Sequence, residues 1–579
     1  MTHLARGLLR SATLAAVGVA CHAAPGPHTI APVALAPPYD VVIEGGRIVD
    51  GSGNAWFYGD LAITGDRIAR IAPPGTLRDA RTRERVDARG LVVAPGFIDI
   101  QAHSRDALLT GDGRVVGKAT QGVTTEIMGE GWTNAPMNDR VLQAATSDDP
   151  SDTAYSASFR GEHGFDAWLR AMERHGMSVN AGSFLGAATV RIYAKGMAAG
   201  PPTPAELDTM RAVTRRAMAD GSFGVASALI YPPGNFATTE ELVEIAKAMA
   251  PYGGVYITHM RSEADQFLEA IDEAIRIGRE GGVPVEIYHL KAAGRRNWPK
   301  AATAIAKIDS ARGAGLDLQA DMYPYVAGGT GLAACLPPWA SADGKLFQNL
   351  RDSSTRARIT AELLSELTDW ENLCSLATPA GVLLAEMKKP ENSRWVGKRL
   401  ADVAGEQHKS WPDAAIDLLL SEQRDIGTLF FLMSEDNVAL QLRQPWIKIG
   451  TDAGGYDPDS VRARGPVHPR SYGTYPRILG RYVRDQHVLS LEDAVRKMSG
   501  AVATRLSIRD RGLLAQGYYA DVVVFDPATI MDNATFEQPH QLSTGVRYVF
   551  VNGVAVVSNG QHTGAKPGRL VRGPGYRRP

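Results

Sequence analysis

Histidine, carboxylate and amide side chains follow five apolar segments of the sequence, at the position where a strand would end. They are Gln101 and His103 in GFIDIQAHS, Glu130 in GVTTEIMGEG, His259 in VYITHMR, His289 in VEIYHLK and Asp452 in WIKIGTDAGG. Imidazole nitrogens and carboxylate oxygens suit Zn²⁺, and a catalytic zinc site needs three protein ligands and an open position. Glu130, His259 and His289 supply such a set. Asp452 is then available to exchange a proton with water at the ion.

The first of these segments lacks one expected histidine. Where a metal-dependent hydrolase would have H-x-H, the chain reads Gln101-Ala102-His103. The substitution is compatible with an inactive enzyme, with an altered metal site, or with no metal at all. A lone polar residue after a strand is more often an ordinary core or surface residue. Several that converge at one end of one fold favour a site.

The central part of the chain alternates predicted strands with amphipathic helices. Strands are predicted near 97–101, 123–128, 179–185, 222–229, 255–259, 285–289, 316–322 and 446–451. About eight βα units close a TIM barrel, whose functional groups lie at the carboxyl ends of the strands. The alternative is an open doubly wound sheet, but no glycine-rich dinucleotide loop follows the first strand. We therefore predict an α/β fold with a (β/α)8 TIM-like barrel over residues 95–505.

The two ends of the chain share a pattern of short strands and glycine-rich turns. YDVVIEGGRIVDGSG lies near the start, and ADVVVFDP and GVRYVFVNGVAVVSNG lie near the end, where Asn552-Gly553 indicates a type I′ hairpin. We predict one small β-sandwich domain built from residues 38–94 and 506–579. An α-rich insert at about 336–430, between strands seven and eight, is too long for a plain loop and is a candidate lid.

The N-terminus has the pattern of a secretory signal peptide. Arg6 and Arg10 precede a short apolar run, and small residues follow it, so residues 1–24 are predicted to be cleaved and 25–37 to form a linker. Lipidation of Cys21 is disfavoured because Gly18 stands where a bulky aliphatic residue is usual. No other run approaches the roughly 20 apolar residues of a membrane span. We expect an exported protein, either periplasmic or secreted.

Overall charge and cysteine count exclude several classes of protein. The 579 residues carry a formal net charge of -1, so no global basic field supports nucleic-acid or anionic-membrane binding, and a small-molecule partner is expected. After removal of the signal peptide only Cys335 and Cys374 remain. Even if these two pair, the fold depends on its core rather than on a disulfide framework.

With these segments in view, the chain resembles the amidohydrolase superfamily and, within it, the D-aminoacylase (N-acyl-D-amino-acid deacylase) family. The resemblance covers about Tyr39 to Arg572 and rests on GFIDIQAHS, TQGVTTEIMGEG, LIYPPG, YITHMRSE, HLKAAG, DMYPYVAGGT, PWIKIGTDAGG, HPRSYGTYPRILG, DRGLLAQGYYADVVVFDP and VNG. It implies a tight metal on Glu130, His259 and His289 and Asp452 as the catalytic acid/base. It also implies that Lys291, Tyr323 and Arg470 bind the substrate α-carboxylate.

Two departures from the family pattern concern the metal. Glu130 stands where D-aminoacylases typically have cysteine, and Gln101 replaces a histidine. The related N-acetylglucosamine-6-phosphate deacetylases include members with a glutamate, two histidines and such a glutamine around one metal. The resemblance thus implies one tightly bound Zn²⁺, with a second, weak site near His103 and Asp452. His103 is assigned to orienting water or the oxyanion, and Gln101 is grouped with the substrate-contacting residues.

These features predict zinc-dependent hydrolysis of N-acyl amino acids, with D-configured substrates favoured. The alternative within the same chemistry is a dipeptidase or an amidase for other acyl or aryl amides, because such enzymes share the site and differ in their loops. A non-catalytic pseudoenzyme is disfavoured, since chemically competent groups occupy the other catalytic positions.

Overall fold

The computed structural model describes residues 39–145, 155–365, 368–461 and 465–578. The predicted signal peptide, the linker and Cys21 lie outside the described residues. The strands are β1 Tyr39–Ile48, β2 Phe57–Thr64, β3 Arg67–Ala72, β4 Thr82–Asp87, β5 Val92–Pro95, β6 Phe97–Asp99, β7 Val123–Met128, β8 Asn180–Ser183, β9 Leu185–Gly186, β10 Gly224–Ala228, β11 Val255–His259, β12 Val285–Ile287, β13 Leu318–Met322, β14 Ala327–Gly331, β15 Val382–Glu386, β16 Gly427–Phe431, β17 Ile447–Ile449, β18 Val522–Phe525, β19 Val546–Val551, β20 Val554–Ser558 and β21 Gln561–His562.

Helices occupy much of the chain between these strands. The α-helices are Arg105–Leu109, Val116–Ala119, Asp139–Ala144, Gly164–His175, Ala187–Lys195, Pro204–Ala219, Thr239–Met249, Phe267–Gly281, Lys300–Gly313, Leu346–Arg351, Ser353–Leu363, Leu373–Ala377, Leu400–Glu406, Trp411–Glu422, Glu435–Leu442, Pro458–Val461, Arg470–Arg477, Leu491–Met498 and Gly500–Arg505. Short 3-10 helices are Gly234–Phe236, Ala250–Tyr252, Arg295–Asn297, Leu332–Cys335, Pro338–Gly344, Pro379–Gly381 and Pro390–Trp395, and Ile478–Asp485 is a π-helix. Within the described ranges, no helix has both the length and the apolar character to cross a bilayer.

Parallel strands carry the predicted polar residues. One sheet has the order β6-β7-β8 and another the order β17-β13-β12-β11-β10-β9. Only Phe184 separates β8 from β9 along the chain, and Ala102 and Ala453, which follow β6 and β17, form a parallel bridge. Strands β8 and β9 together occupy the one predicted strand near 179–185, so these nine strands correspond to the eight predicted segments. The α/β class is confirmed.

The helices between parallel strands form where apolar residues recur at helical spacing. In Thr239–Met249, the segment TEELVEIAKAM buries Leu242, Ile245 and Met249 on one face. Its start is set by Thr238, whose side chain accepts a hydrogen bond from the backbone N–H of Glu241. Packing of this apolar face fixes the preceding strand, so that its carboxyl end is held at a defined place.

Both ends of the chain contribute to one nine-stranded sheet. Its order is β21-β20-β19-β18-β5-β1-β2-β3, with β4 paired to β1. Strand β18 is antiparallel to β5, so the C-terminal strands extend the N-terminal ones. Val41, Leu61, Val93, Val522 and Phe550 from both ends share one buried cluster.

The insert has its own sheet and its own core. The antiparallel sheet β14-β16-β15 and the helices around it enclose a buried cluster that includes Ile359, Leu400, Ile416 and Phe430. The unit begins with β14, before the predicted start near 336. The sequence did not indicate this strand because the glycine-rich AGGTG lacks the apolar alternation that is typical of a strand. A disulfide joins Cys335 to Cys374 inside this unit.

Candidate metal centre and active site

The predicted polar residues gather at the carboxyl ends of the parallel strands. His259 is the last residue of β11, and the other positions lie two to four residues beyond β6, β7, β12 and β17. Most of them line a cavity of about 540 Å³, whose walls also include Trp132, Ile230, Leu373 and Leu429. A cavity of this size accommodates a small molecule.

Glu130 lies at the centre of the polar groups. Its Oε1 is 3.2 Å from Nδ1 of His259 and 3.4 Å from Nε2 of His289. Ligand atoms bound at about 2.0–2.1 Å to a tetrahedral ion lie roughly 3.3 Å apart, so these donors have the spacing that zinc requires. The side chains of all three residues are buried or nearly so. The donor set therefore fits a zinc ion.

The second carboxylate oxygen of Glu130 faces a different group. Oε2 accepts a hydrogen bond of 2.6 Å from Nε2 of Gln101 and lies 3.3 Å from Nε2 of His103. Gln101 is buried and does not line the cavity, and its Oε1 has no hydrogen-bond partner among the described residues. Gln101 thus bonds to one carboxylate oxygen of Glu130, and the other oxygen, Oε1 of Glu130, faces the two histidines.

Asp452 is held between two cationic groups. Its Oδ1 lies 2.9 Å from Nε2 of His103, and its Oδ2 lies 2.7 Å from Nη1 of Arg470. Burial acts to raise the pKa of Asp452, but the Arg470 charge and the His103 hydrogen bond lower it below its ordinary value. Burial also acts to lower the pKa of His103, yet its bonds to Asp452 and Glu130 raise it to about 9. Asp452 is therefore ionised at neutral pH and can accept a proton.

The residues predicted to bind the substrate carboxylate form one wall of the cavity. The guanidinium carbon of Arg470 lies 4.5 Å from the ring centre of Tyr323, and Nζ of Lys291 lies 5.7 Å from it. Nζ of Lys291 also donates a hydrogen bond of 2.7 Å to Oε1 of Glu263. Nε of Arg470 is buried and makes no hydrogen bond within the described residues, so it has an unused donor.

Comparison with known proteins decides the family. Residues 400–557 match the model of the amidohydrolase family. Over 92% of its length the chain is 36% identical to the D-aminoacylase of Alcaligenes xylosoxydans xylosoxydans, of which the match covers 98%. The chain belongs to the D-aminoacylase family of amidohydrolases. The family resemblance drawn from the sequence motifs is thereby confirmed.

Solved structures of the D-aminoacylase family agree with the fold. A D-aminoacylase whose structure addresses the functional role of its binuclear metal center matches 92% of this chain and 100% of its own, with 32% identity and a TM-score of 0.76. The N-acyl-D-glutamate deacylase of Bordetella bronchiseptica, complexed with zinc and a phosphonate inhibitor, matches 93% of this chain and 100% of its own, with 28% identity and a TM-score of 0.74.

Two glutamates near the centre were not predicted from the sequence. Glu263 follows His259 by four residues in YITHMRSE, and its carboxylate touches Lys291 and His289. Glu371, on the insert, accepts a hydrogen bond from the backbone N–H of Glu263. The four-residue spacing from His259 could have indicated Glu263 from the sequence. Nothing in the sequence around Glu371 indicates that it reaches the parallel strands.

Glu371 should make stability depend on pH. Burial and the neighbouring Glu263 raise the pKa of Glu371 from 4.5 to about 8. Between these values the folded protein keeps a proton that the unfolded chain has lost, so the free energy of unfolding falls as the pH rises through this window. Glu371→Gln cannot ionise, and its stability should fall less. Urea unfolding of the metal-free proteins at several pH values measures the difference, and parallel pH profiles would contradict it.

Proposed function

We propose that this protein hydrolyses the amide bond of N-acyl amino acids, with D-configured substrates favoured, and releases a carboxylate and a free amino acid. The observation that carries the proposal is the position of Asp452 beside the zinc-compatible set Glu130, His259 and His289, in a cavity of about 540 Å³. Relatives named D-aminoacylase and N-acyl-D-aspartate deacylase support the reaction class.

Glu130, His259 and His289 would hold the ion. When bound, zinc polarises a carbonyl oxygen and makes a water molecule acidic enough to attack at neutral pH. The protein's own contribution to proton transfer is Asp452, which accepts a proton from the attacking water and passes it to the departing amine nitrogen. Arg470 and His103 contact separate oxygens of Asp452 and hold the carboxylate in place for both transfers.

Substrate binding is assigned to the wall formed by Arg470, Lys291 and Tyr323. The free Nε donor of Arg470 supports a contact with a substrate carboxylate, because charge-assisted hydrogen bonds to carboxylates are strong. Nζ of Lys291 is already bonded to Glu263, so its contribution would be shared between that carboxylate and the substrate. His103 would orient the attacking water or the developing oxyanion through Nε2.

A single tightly held zinc ion is part of the proposal. His103, Glu130 and Asp452 form a second candidate ion group, but Gln101 takes the place of a further histidine ligand. The amide of Gln101 already donates to Oε2 of Glu130, the oxygen that a second ion would need. Any ion at His103 and Asp452 would therefore be held weakly.

Gln101→His should strengthen the second site. An imidazole at position 101 adds a ligand next to His103 and removes the amide that bonds to Oε2 of Glu130. Zinc content after dialysis should rise from about one ion per chain toward two. Elemental analysis of wild type and variant prepared side by side measures this. An unchanged single ion in Gln101→His would mean that Gln101 does not limit occupancy.

The proposal extends to the fold and the cellular location. We take the two parallel sheets as one (β/α)8 barrel, supported by the Ala102–Ala453 bridge and the continuity of β8 and β9. The predicted domain limits at 38–94, 95–505 and 506–579 are kept as part of this proposal.

Export is supported by the N-terminal sequence pattern and by the Cys335–Cys374 disulfide, since such bonds persist in oxidising compartments.

The first experiment pairs metal analysis with amine release from N-acyl-D-amino acids, N-acyl-L-amino acids and dipeptides. About one zinc per chain with D-selective release would support the proposed reaction and the mononuclear site together. Zinc without release from N-acyl amino acids would overturn the substrate assignment in favour of another amide. If the protein held no metal and turned over no substrate, the result would favour a pseudoenzyme.

A further inference from the structure

We infer that Glu263 is a positioning residue that orients the zinc-ligand histidine His289, and that Glu371 on the insert holds Glu263 in place. The insert would then be a structural part of the metal centre as well as a wall of the cavity. The inference rests on the proposed function, because it takes Glu130, His259 and His289 as the zinc ligands.

The first observation is that Glu263 faces the ring nitrogens that Glu130 does not. Oε1 of Glu263 lies 2.9 Å from Nδ1 of His289, and Oε2 lies 3.8 Å from Nε2 of His259. The opposite nitrogens, Nε2 of His289 and Nδ1 of His259, face Glu130. A nitrogen that binds a metal must be bare, so the other nitrogen of each ring carries the proton and needs an acceptor. Glu263 supplies that acceptor to His289, whereas Nε2 of His259 lies beyond hydrogen-bond distance of Glu263 and makes no hydrogen bond within the described residues.

Lys291 contacts the same nitrogen of His289 and the same oxygen of Glu263. Its Nζ lies 2.7 Å from both Oε1 of Glu263 and Nδ1 of His289. An ammonium has donors only, so a hydrogen bond from Nζ to Nδ1 requires Nδ1 to be bare. With zinc on Nε2, Nδ1 would carry the proton, and Nδ1 and Nζ would then both donate to Oε1 of Glu263. The positive charge of Lys291 stabilises the Glu263 carboxylate in its buried position. Lys291 thereby supports the histidine as well as the substrate wall.

The second observation connects Glu263 to the insert. A carboxyl oxygen of Glu371 accepts a hydrogen bond from the backbone N–H of Glu263 and one of 3.2 Å from Oγ of Ser262. All three residues are buried. Glu371 lies just before helix Leu373–Ala377, which provides Leu373 to the cavity and Cys374 to the disulfide. The backbone at 262–263 is therefore hydrogen-bonded to the segment of the insert that the Cys335–Cys374 disulfide cross-links.

Zinc affinity tests both steps without any substrate. Glu263→Gln keeps the shape of the side chain but removes its charge, and loss of such outer-shell partners typically weakens metal binding about 10–100-fold. Glu371→Met keeps most of the volume but removes the acceptor, and we expect about a tenfold weaker zinc affinity. Glu371→Gln retains an oxygen that can accept the same N–H, so it should restore near wild-type affinity. Competition with a chromophoric chelator gives each dissociation constant.

Glu422→Gln is the matched control. Glu422 is also a buried glutamate of the insert, and it accepts a hydrogen bond from the backbone N–H of Lys388, but it does not line the cavity. Its zinc affinity should equal that of wild type. Thermal unfolding of each zinc-free protein identifies a variant that has lost its fold, and Glu263→Gln then tests the first step independently of Glu371→Met.

The outcomes separate this inference from the proposed function. Unchanged zinc affinity in Glu263→Gln and Glu371→Met, with normal D-selective turnover in wild type, overturns the inference alone. Weakened zinc binding in both variants, with no turnover of N-acyl amino acids by wild type, supports the inference and overturns the proposed substrate. Equal weakening in Glu371→Met and Glu371→Gln overturns the role of the Glu371 oxygen. A wild type that binds no zinc overturns both proposals.

Discussion

Asp452→Asn should retain one zinc ion per chain and lose about 10²–10⁴-fold in kcat. Asp452 is not in the tight donor set, so its replacement leaves Glu130, His259 and His289 intact. The amide oxygen of asparagine can still accept a hydrogen bond, so the position of the side chain is largely kept. An amide cannot take up the proton of the attacking water at neutral pH, and turnover should fall for that reason. Metal analysis and steady-state kinetics on the same preparation test both parts.

Asp457→Asn is a suitable control for the Asp452 variant. Asp457 lies five positions further along the chain and bonds to Nη2 of Arg114 at 2.6 Å. Both substitutions remove one negative charge from this segment, but only one removes the proposed base. Wild-type turnover in Asp452→Asn would remove the role assigned to it, and an equal loss in both variants would point to the segment rather than to proton transfer.

The site could be predicted from the sequence because it is built on strand ends. His259 and His289 follow apolar runs, and neighbouring parallel strands bring such positions together whatever their separation along the chain. Their chemistry then indicates a metal. The same reasoning cannot orient Gln101, because the direction of its amide depends on Glu130, which comes from another strand.

The insert shows where sequence reasoning ends. Glu371 reaches Glu263 only because the helices of the insert pack into a core beside the parallel strands. No local periodicity encodes that placement. Strand β14 was not predicted either, because its glycines are stabilised by pairing with β16 rather than by any strand preference of their own. The pairing of Cys335 with Cys374 is likewise a result of tertiary packing, since their separation of 39 residues is compatible with many arrangements.

Glu130→Gln should have the largest effect on the metal itself. Oε1 of Glu130 faces both zinc-ligand histidines, and Oε2 faces Gln101 and His103. Glutamine has one neutral oxygen where glutamate has two that share a negative charge, so the donor set loses its only carboxylate. Because outer-shell partners alone affect metal affinity about 10–100-fold, loss of this ligand should weaken zinc binding by more than about 100-fold and abolish turnover with it.

A matched variant distinguishes ligand loss from a general change of charge. Glu386→Gln removes a carboxylate from the cavity lining, where Glu386 pairs with Lys388 and belongs to no candidate ion group among the described residues. Its zinc content should match that of wild type, whereas Glu130→Gln should lose zinc during dialysis. Added zinc at high concentration should restore part of the occupancy of Glu130→Gln, because His259 and His289 remain. If Glu130→Gln kept one tightly bound ion, the ion would have to be held by another set, and the carboxylates of Glu263 and Asp452 would be the groups to test next.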